Sequence, residues 1–318
     1  MTDMIQQRGP GASDAHTIRA LVGGEPAAVR ALSPDATWVR TEAGQELVVK
    51  RVPRQERSHW RPGRPWVELV TLDLLAAAGG PVPRLLAADL EGGWLVLAYV
   101  PGKTLLEAAG CAGDTCFAAL TDAVVQVESI LQEEEEAIRS FLPDPPTDDA
   151  APLIEAVEAA LLPEAAAQWR SLVLEAFAGA RRTLGSLDLQ PGNALAAGER
   201  VLLIDFSVVG WTVRERRLVA YAHRSRPRPG TILTQSAYAA YRDRAGDGAA
   251  LRLAVYDMAY ALRLLAGRAG LGLAGEELDD ALRLWRRPRL DDRRLAAVCD
   301  GLDWKRLKEV GRRWGKGL

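Results

Sequence analysis

The chain has 318 residues, 48% of them apolar, with 40 basic against 42 acidic side chains and a formal charge of −2. That length and apolar content allow one large or two medium buried cores, and the interspersed, nearly balanced charge gives no electrostatic case for nucleic acid as a partner. Cys111, Cys116 and Cys299, with His16, His59 and His223, are too few and wrongly spaced for a zinc site, and no apolar run approaches the roughly 20 residues of a membrane span, so no membrane partner is expected.

Met1 to Ser13 is polar and Gly-containing rather than basic and then apolar, which together with the sparse cysteines predicts a cytoplasmic protein. Asp14 can cap a short helix through Leu21. Ala27–Leu32, Thr37–Thr41 and Glu46–Val52 then read as three short strands separated by the turn-like SPDA and EAGQ, a meander. Pro65 to Ala78 carries apolar residues at helical spacing, including Leu69, Leu72 and Leu75, until Gly79, Gly80 and Pro81 stop it. Arg84–Ala88 and Trp94–Val100 complete a sheet-based N-terminal lobe over residues 1–100.

From 101 to 318 the pattern changes to long amphipathic helices. Asp114–Phe141 comes first, then the Pro-rich loop PDPPTDDAAP, then a helix over Pro163–Gly185. Val201 to Ile204 is a short buried strand. Beyond Trp211, periodic segments near 213–224, 231–245, 248–268, 275–286 and 290–315 read as helices. The nine tryptophans, Trp60, Trp66 and Trp211 among them, read as packing residues.

The stretch SLDLQPGNALAAGERVLLIDF, Ser186 to Phe206, carries the chemistry. Asp188 and Asn193 stand five residues apart on a loop, and Asp205 ends the apolar strand. Mg²⁺ takes hard oxygen donors and keeps several waters, so one carboxylate, one amide oxygen and nucleotide phosphates suffice to hold it. The second Asp is then free to accept a hydroxyl proton. A catalytic Asp, a metal Asn five residues on and a later metal Asp form the protein-kinase pattern.

DLQPGN followed by LIDF resembles the small-molecule branch of the kinase-like fold, the aminoglycoside phosphotransferases and choline kinases, whose loop typically reads HGDLHPGN. The resemblance extends upstream: Lys50 near the end of ELVVKRV and Glu68 in the following helix match the phosphate-binding Lys and its Glu partner, and YVPG matches the hinge. It spans roughly Val29 to Trp211. It implies an α+β, two-lobed protein-kinase-like fold, with a small antiparallel-sheet N-lobe holding one main helix and a larger, mainly helical C-lobe.

The resemblance further implies an ATP- and Mg²⁺-dependent phosphotransferase, with GTP left open as donor, acting on a hydroxyl of a small molecule such as an aminoglycoside, amino alcohol or sugar. Asp188 would be the catalytic base, and Asn193 and Asp205 the metal ligands. Lys50, held by Glu68, would bind the nucleotide phosphates, Ser33 would donate to them from the first turn, and the backbone of Ala98 and Val100 would meet the adenine edge. Glu56 is the other acidic candidate for Glu68's place, without its apolar periodicity. The rival readings are a kinase acting on Ser or Thr of a peptide, and a nucleotide-binding scaffold without turnover. Either a monomer or a homodimer fits.

The sequence departs from the family pattern at several positions. Ser186 and Leu187 replace the usual His-Gly before the catalytic Asp, and Gln190 replaces the second His. The turn LSPDATW contains no Gly to approach phosphates closely. Arg216 and Arg217 stand where an Asp often begins the next helix. The run Glu133–Glu136 with Asp148 and Asp149 would suit a cationic acceptor, and His223 with Arg224, Arg226 and Arg228 an anionic one, though a solvated surface accounts for both sets.

Overall fold

The computed structural model describes residues 12–52, 65–89, 91–108, 114–139, 142, 150–198, 200–224 and 232–314. Glu56, Asp148, Asp149, Arg226 and Arg228 lie outside them. After helix α1 (Ala12–Val22), strands β1 (Pro26–Ser33), β2 (Ala36–Thr41) and β3 (Glu46–Arg51) form the expected antiparallel meander. Helix α2 (Pro65–Ala77) follows, then β4 (Leu85–Asp89) and β5 (Trp94–Ala98). The sheet order is β1-β2-β3-β5-β4. Central β3 and β5 alternate or fill with buried apolar residues, Leu47, Val49, Leu95, Val96 and Leu97, because both of their edges are paired.

Past the two-residue strand β6 (Lys103–Thr104) the chain becomes helical: α3 (Asp114–Glu133), α4 (Glu135–Arg139), α5 (Ala150–Glu158) and α6 (Pro163–Phe177). The single helix expected over Asp114–Phe141 is therefore two. The helix expected over Pro163–Gly185 ends at Phe177, where Gly179 takes a positive φ of 67°. Strand β7 (Thr183–Ser186) then begins, and β8 (Ala194–Ala197), β9 (Arg200–Leu203) and β10 (Val209–Thr212) follow. None of β7, β8 or β10 is apparent from periodicity, since each has four residues.

Helices α7 (Arg214–Arg224), α8 (Gln235–Ala245), α9 (Asp247–Gly270), α10 (Glu276–Arg286), α11 (Arg293–Asp300) and α12 (Trp304–Trp314) complete the fold. The helix expected over 290–315 is divided at Gly301, where the Asp303 carboxylate accepts from Lys305 and Arg306 N–H groups to start α12. Helix α9 is apolar around most of its circumference and is buried against α6, α7, α8, α10 and α12. Its crossing with α12 is close because Gly270 meets Gly311: a Cβ on Gly311 would lie 1.8 Å from the Ala266 carbonyl oxygen. Among the described residues no helix is long and apolar enough to cross a membrane.

Candidate active site

Two loops are brought together by strand pairing. Strand β7 pairs with β10 and β8 with β9, all antiparallel, so the β7–β8 loop and the β9–β10 loop emerge side by side. The Leu187 N–H donates to the Val208 carbonyl at 2.8 Å and the Ile204 N–H to the Asn193 carbonyl at 3.0 Å. Asp188 and Asn193 lie on the first loop, whose Pro191–Asn193 segment is a 3₁₀ turn, and Asp205 lies on the second.

Asn193 is oriented by Asp188. Its Nδ2 donates to the Asp188 backbone oxygen at 2.9 Å and to Oδ2 at 3.3 Å, which turns the amide oxygen the other way. The Asp205 Oδ1 accepts the Ser207 N–H at 2.9 Å and lies 3.3 Å from the Lys50 Nζ. An amide oxygen and a carboxylate thus stand on adjacent loops, joined by the bond from the Ile204 N–H to the Asn193 carbonyl. This donor set fits Mg²⁺, which needs one or two protein oxygens beside phosphates and water. A cluster of three or more His, Cys, Asp or Glu groups able to hold a metal is absent among the described residues, so the fit is to that sparse kind of site alone.

Lys50 reaches this point from β3. Its Nζ sits 2.5 Å from Glu68 Oε1, with Lys50 15% and Glu68 1% exposed. Burial by itself would lower the ammonium's pKa, but the Glu68 and Asp205 carboxylates outweigh it and hold the pKa above the ordinary value. Burial raises the Glu68 pKa, and the nearby Asp205 charge adds to that, against the pull of Lys50. We take Lys50 as charged, because it has two carboxylate partners and Glu68 has one ammonium.

The remaining expected residues lie at two ends of the sheet: Ser33 at the Lys50 end, and Ala98 with Val100 toward the Glu46 end, Ala98 pairing with Leu47 and Lys50 with Leu95. Ala36 lies opposite Lys50 in the β2–β3 register, so the preceding turn with Ser33 stands at the Lys50 end; the Ser33 Oγ accepts the Asp35 N–H at 3.3 Å. At the end of β5 the Tyr99 N–H bonds to the Glu46 carbonyl at 3.2 Å on the β3 side. Backbone polar groups alternate along a strand, so the Ala98 carbonyl and the Val100 N–H point to the opposite edge.

The departures in the loop are compensated within the fold. Ser186 is buried, and its hydroxyl accepts the Asp188 N–H at 3.3 Å. Leu187 lies over Gly210, where an added Cβ would meet its Cδ1 at 2.8 Å. Gln190 donates to Asp188 Oδ2 at 3.1 Å, bracing the carboxylate. Arg217, buried to 3% exposure, donates to the carbonyls of Ser186 at 3.1 Å, Thr183 at 2.7 Å and Gly210 at 2.9 Å, and to Glu128 at 2.7 Å. It therefore clamps β7 to β10 behind the loop.

Glu128 and Arg217 in this role were missed from sequence. The available signal was a carboxylate on the apolar face of α3, between Val124, Val127 and Leu131, since a buried charge implies a partner. Arg224 was likewise assigned to the surface; it bonds Asp188 Oδ1 from the end of α7. The acidic run Glu133–Glu136 straddles the junction of α3 and α4, where Gln132 donates to Glu135.

The model of the phosphotransferase enzyme family, APH, matches residues 28–254. The chain belongs to that family. Among curated proteins no sequence gives a significant match. Of solved structures, the macrolide 2'-phosphotransferase MphH from Brachybacterium faecium is similar at a TM-score of 0.53 and 16% identity, covering 87% of this chain and 98% of its own. An aminoglycoside phosphotransferase from Alicyclobacillus acidocaldarius gives 0.52 at 13% identity, covering 99% of both chains. A thermostable mutant of aminoglycoside phosphotransferase APH(4)-Ia, in ternary complex with ADP and hygromycin B, gives 0.50 at 16%, covering 92% of this chain and 99% of its own. The architecture is the α+β, two-lobed kinase-like fold of these enzymes.

Proposed function

We propose that this phosphotransferase moves the γ-phosphoryl group of ATP to a hydroxyl of a small molecule. The observation that carries the reading is the convergence of Lys50 and Asp205 at 3.3 Å, with Asn193 and Asp188 hydrogen-bonded beside them. Asp188 accepts the proton of the attacking hydroxyl and aligns its oxygen. Lys50, fixed by Glu68, neutralises the nucleotide phosphates, and Ser33 donates to them from the β1–β2 turn. The Ala98 carbonyl and Val100 N–H receive the adenine edge. Asn193 and Asp205 are the residues that would hold Mg²⁺, which when bound neutralises charge on the phosphates. The chain's contribution is positioning and electrostatic stabilisation, without a covalent enzyme intermediate. The domains divide near residue 100, with the nucleotide in the cleft between them.

The similarity to a fold that holds ADP and hygromycin B together supports a nucleotide and a small acceptor in one cleft. Incubation with γ-labelled ATP, Mg²⁺ and a panel of aminoglycosides, amino alcohols, sugars, hydroxy acids and Ser-containing peptides tests the reading, with Asp188→Ala as control. Label on a small alcohol, lost in the variant, is expected. Label on the peptides alone would replace it by the peptide-kinase reading. A second reading, nucleotide binding without turnover, draws on the Arg224 contact that covers Asp188; it predicts bound ATP and no labelled product.

A further inference from the structure

Arg224 ends α7, and its guanidinium bonds Oδ1 of Asp188, the carboxylate that the proposed mechanism uses for the acceptor hydroxyl. The contact is half in solvent, with Arg224 48% and Asp188 33% exposed, so it can open without unpacking a core. By contrast Gln190 and Asn193 engage Oδ2, on the loop's own side. One carboxylate oxygen is thus held by the fold and the other is covered by a removable cation.

The surroundings of Arg224 are not acidic in balance. Its neighbour His223 bonds Asp257 Oδ1 at 2.7 Å, and Arg287 and Arg289 take Asp257 Oδ2 at 2.7 and 2.5 Å, with the Tyr238 hydroxyl at 2.9 Å. Asp188 is matched by Arg224, Asp205 on the adjoining loop by Lys50, and the buried Asp257, reached by His223 next along α7, by Arg287 and Arg289. A cationic acceptor would meet Arg224, and each of these three described carboxylates already has a cationic partner. An anionic acceptor would supply what Arg224 needs in order to leave Asp188.

We propose that the acceptor is an alcohol bearing an anionic group, a carboxylate or a phosphate, close to the hydroxyl, and that Arg224 transfers from Asp188 to that group on binding. This rests on the phosphotransferase reading above and names its substrate class. Transfer of Arg224 bares Asp188 Oδ1 when the acceptor arrives. The acceptor oxygen then forms a bond to the γ-phosphorus as the bond from that phosphorus to the β-bridging oxygen breaks. The hydroxyl proton goes to Asp188, and the nucleoside diphosphate leaves. An acceptor without the anion leaves Arg224 on the base, so selectivity comes from exclusion as well as attraction. A guanidinium suits this task, since it forms two parallel bonds to a carboxylate or phosphate.

The test compares matched acceptors with the wild type, Arg224→Lys and Arg224→Glu: hydroxy acids, their neutral amides, sugar phosphates, the parent sugars, and amino alcohols. The readout is the ratio of kcat/KM between charged and uncharged members, with ATP affinity as the check that each variant is folded. The wild type is expected to favour acids over amides or phosphates over sugars by about 10- to 100-fold, the range of one charge-assisted hydrogen bond. Whether carboxylates or phosphates lead identifies the source of the anion. Arg224→Lys should keep part of the preference and Arg224→Glu should reverse it toward amino alcohols. A wild-type preference for neutral or cationic acceptors, or a ratio unchanged in Arg224→Glu, overturns the anionic substrate class. ATP consumption with no acceptor from either charged set overturns it too. Failure of the underlying reading looks different: no phosphoryl transfer to any alcohol and no ATP use sensitive to Asp188→Ala.

Discussion

Arg217 and Glu128 form a fully buried ion pair 31 residues beyond Ser186 and 58 residues before it in the chain, with 2.7 Å between Nη1 and Oε1 and 2% exposure on each side chain. Glu128 also accepts from Arg214 at 2.6 Å. The pair joins α3 and α7 behind β7, the strand that leads into the loop holding Asp188. Removing one member of a buried pair costs up to about 3–5 kcal/mol, an upper limit for Arg217 because Arg214 still meets Glu128. Arg217→Met should therefore lower unfolding free energy in urea by up to that amount, and more than Glu128→Gln, because the carbonyls of Thr183, Ser186 and Gly210 lose their donor as well. Equal stability of Arg217→Met and wild type would refute the clamp.

Asp257 sets the acid limit of the C-terminal helices. Burial acts to raise its pKa, but Arg289, then Arg287 and His223, outweigh this and hold it well below the ordinary 3.8. A depressed carboxylate contributes stability that is present above the unfolded value and is lost as pH falls through the folded one. Wild type should lose stability as pH drops below about 4, while Asp257→Asn should be weaker at neutral pH and flatter across that acid range. Thermal melts at a series of pH values show this; parallel curves for both proteins would contradict it.

The Lys50–Glu68 contact predicts a ranked loss of nucleotide handling. Lys50→Met should lower kcat/KM for ATP by more than Glu68→Gln, which weakens one charged hydrogen bond and should cost about 10- to 100-fold. The raised Lys50 pKa gives a direction in pH: its contribution to stability is fully present below the unfolded value of 10.5 and fades as pH rises through the higher folded value. Steady-state kinetics of both variants decide the ranking. Glu68→Gln at wild-type rate would remove Glu68 from its role.

The α9–α12 crossing gives a prediction independent of the site. A methyl at residue 311 would meet backbone, the Ala266 carbonyl and Gly270, and backbone cannot swing aside. Gly311→Ala should cost about 1–3 kcal/mol, as overpacking does, visible as a lower melting temperature. A neutral or stabilising effect would place the helices farther apart than described.

The residues proposed as metal ligands and base could be placed together from sequence because they lie within one short stretch, Asp188 to Asp205, whose spacing reflects a loop, a hairpin and a second loop. Lys50 and Glu68 were legible from element order, a Val-rich strand before an apolar helix. What escaped depended on contacts across the chain. Strand β7 was absorbed into the preceding helix because TLGS has no alternation long enough to outweigh the periodicity of Pro163–Phe177. Arg217 counted as a departure from the family pattern, and only packing against Glu128 turns it into a support. Arg224 was read as surface because nothing local ties it to Asp188, 36 residues earlier.

Asp188 is the group on which the account turns, and single-turnover transfer of the γ-phosphoryl group to an accepted alcohol tests it. With Asp188→Asn the rate should fall by about 10² to 10⁴, the contribution of a positioned general base, while ATP affinity stays within a few-fold of wild type. Undiminished transfer by Asp188→Asn would contradict the assignment of Asp188 as the base.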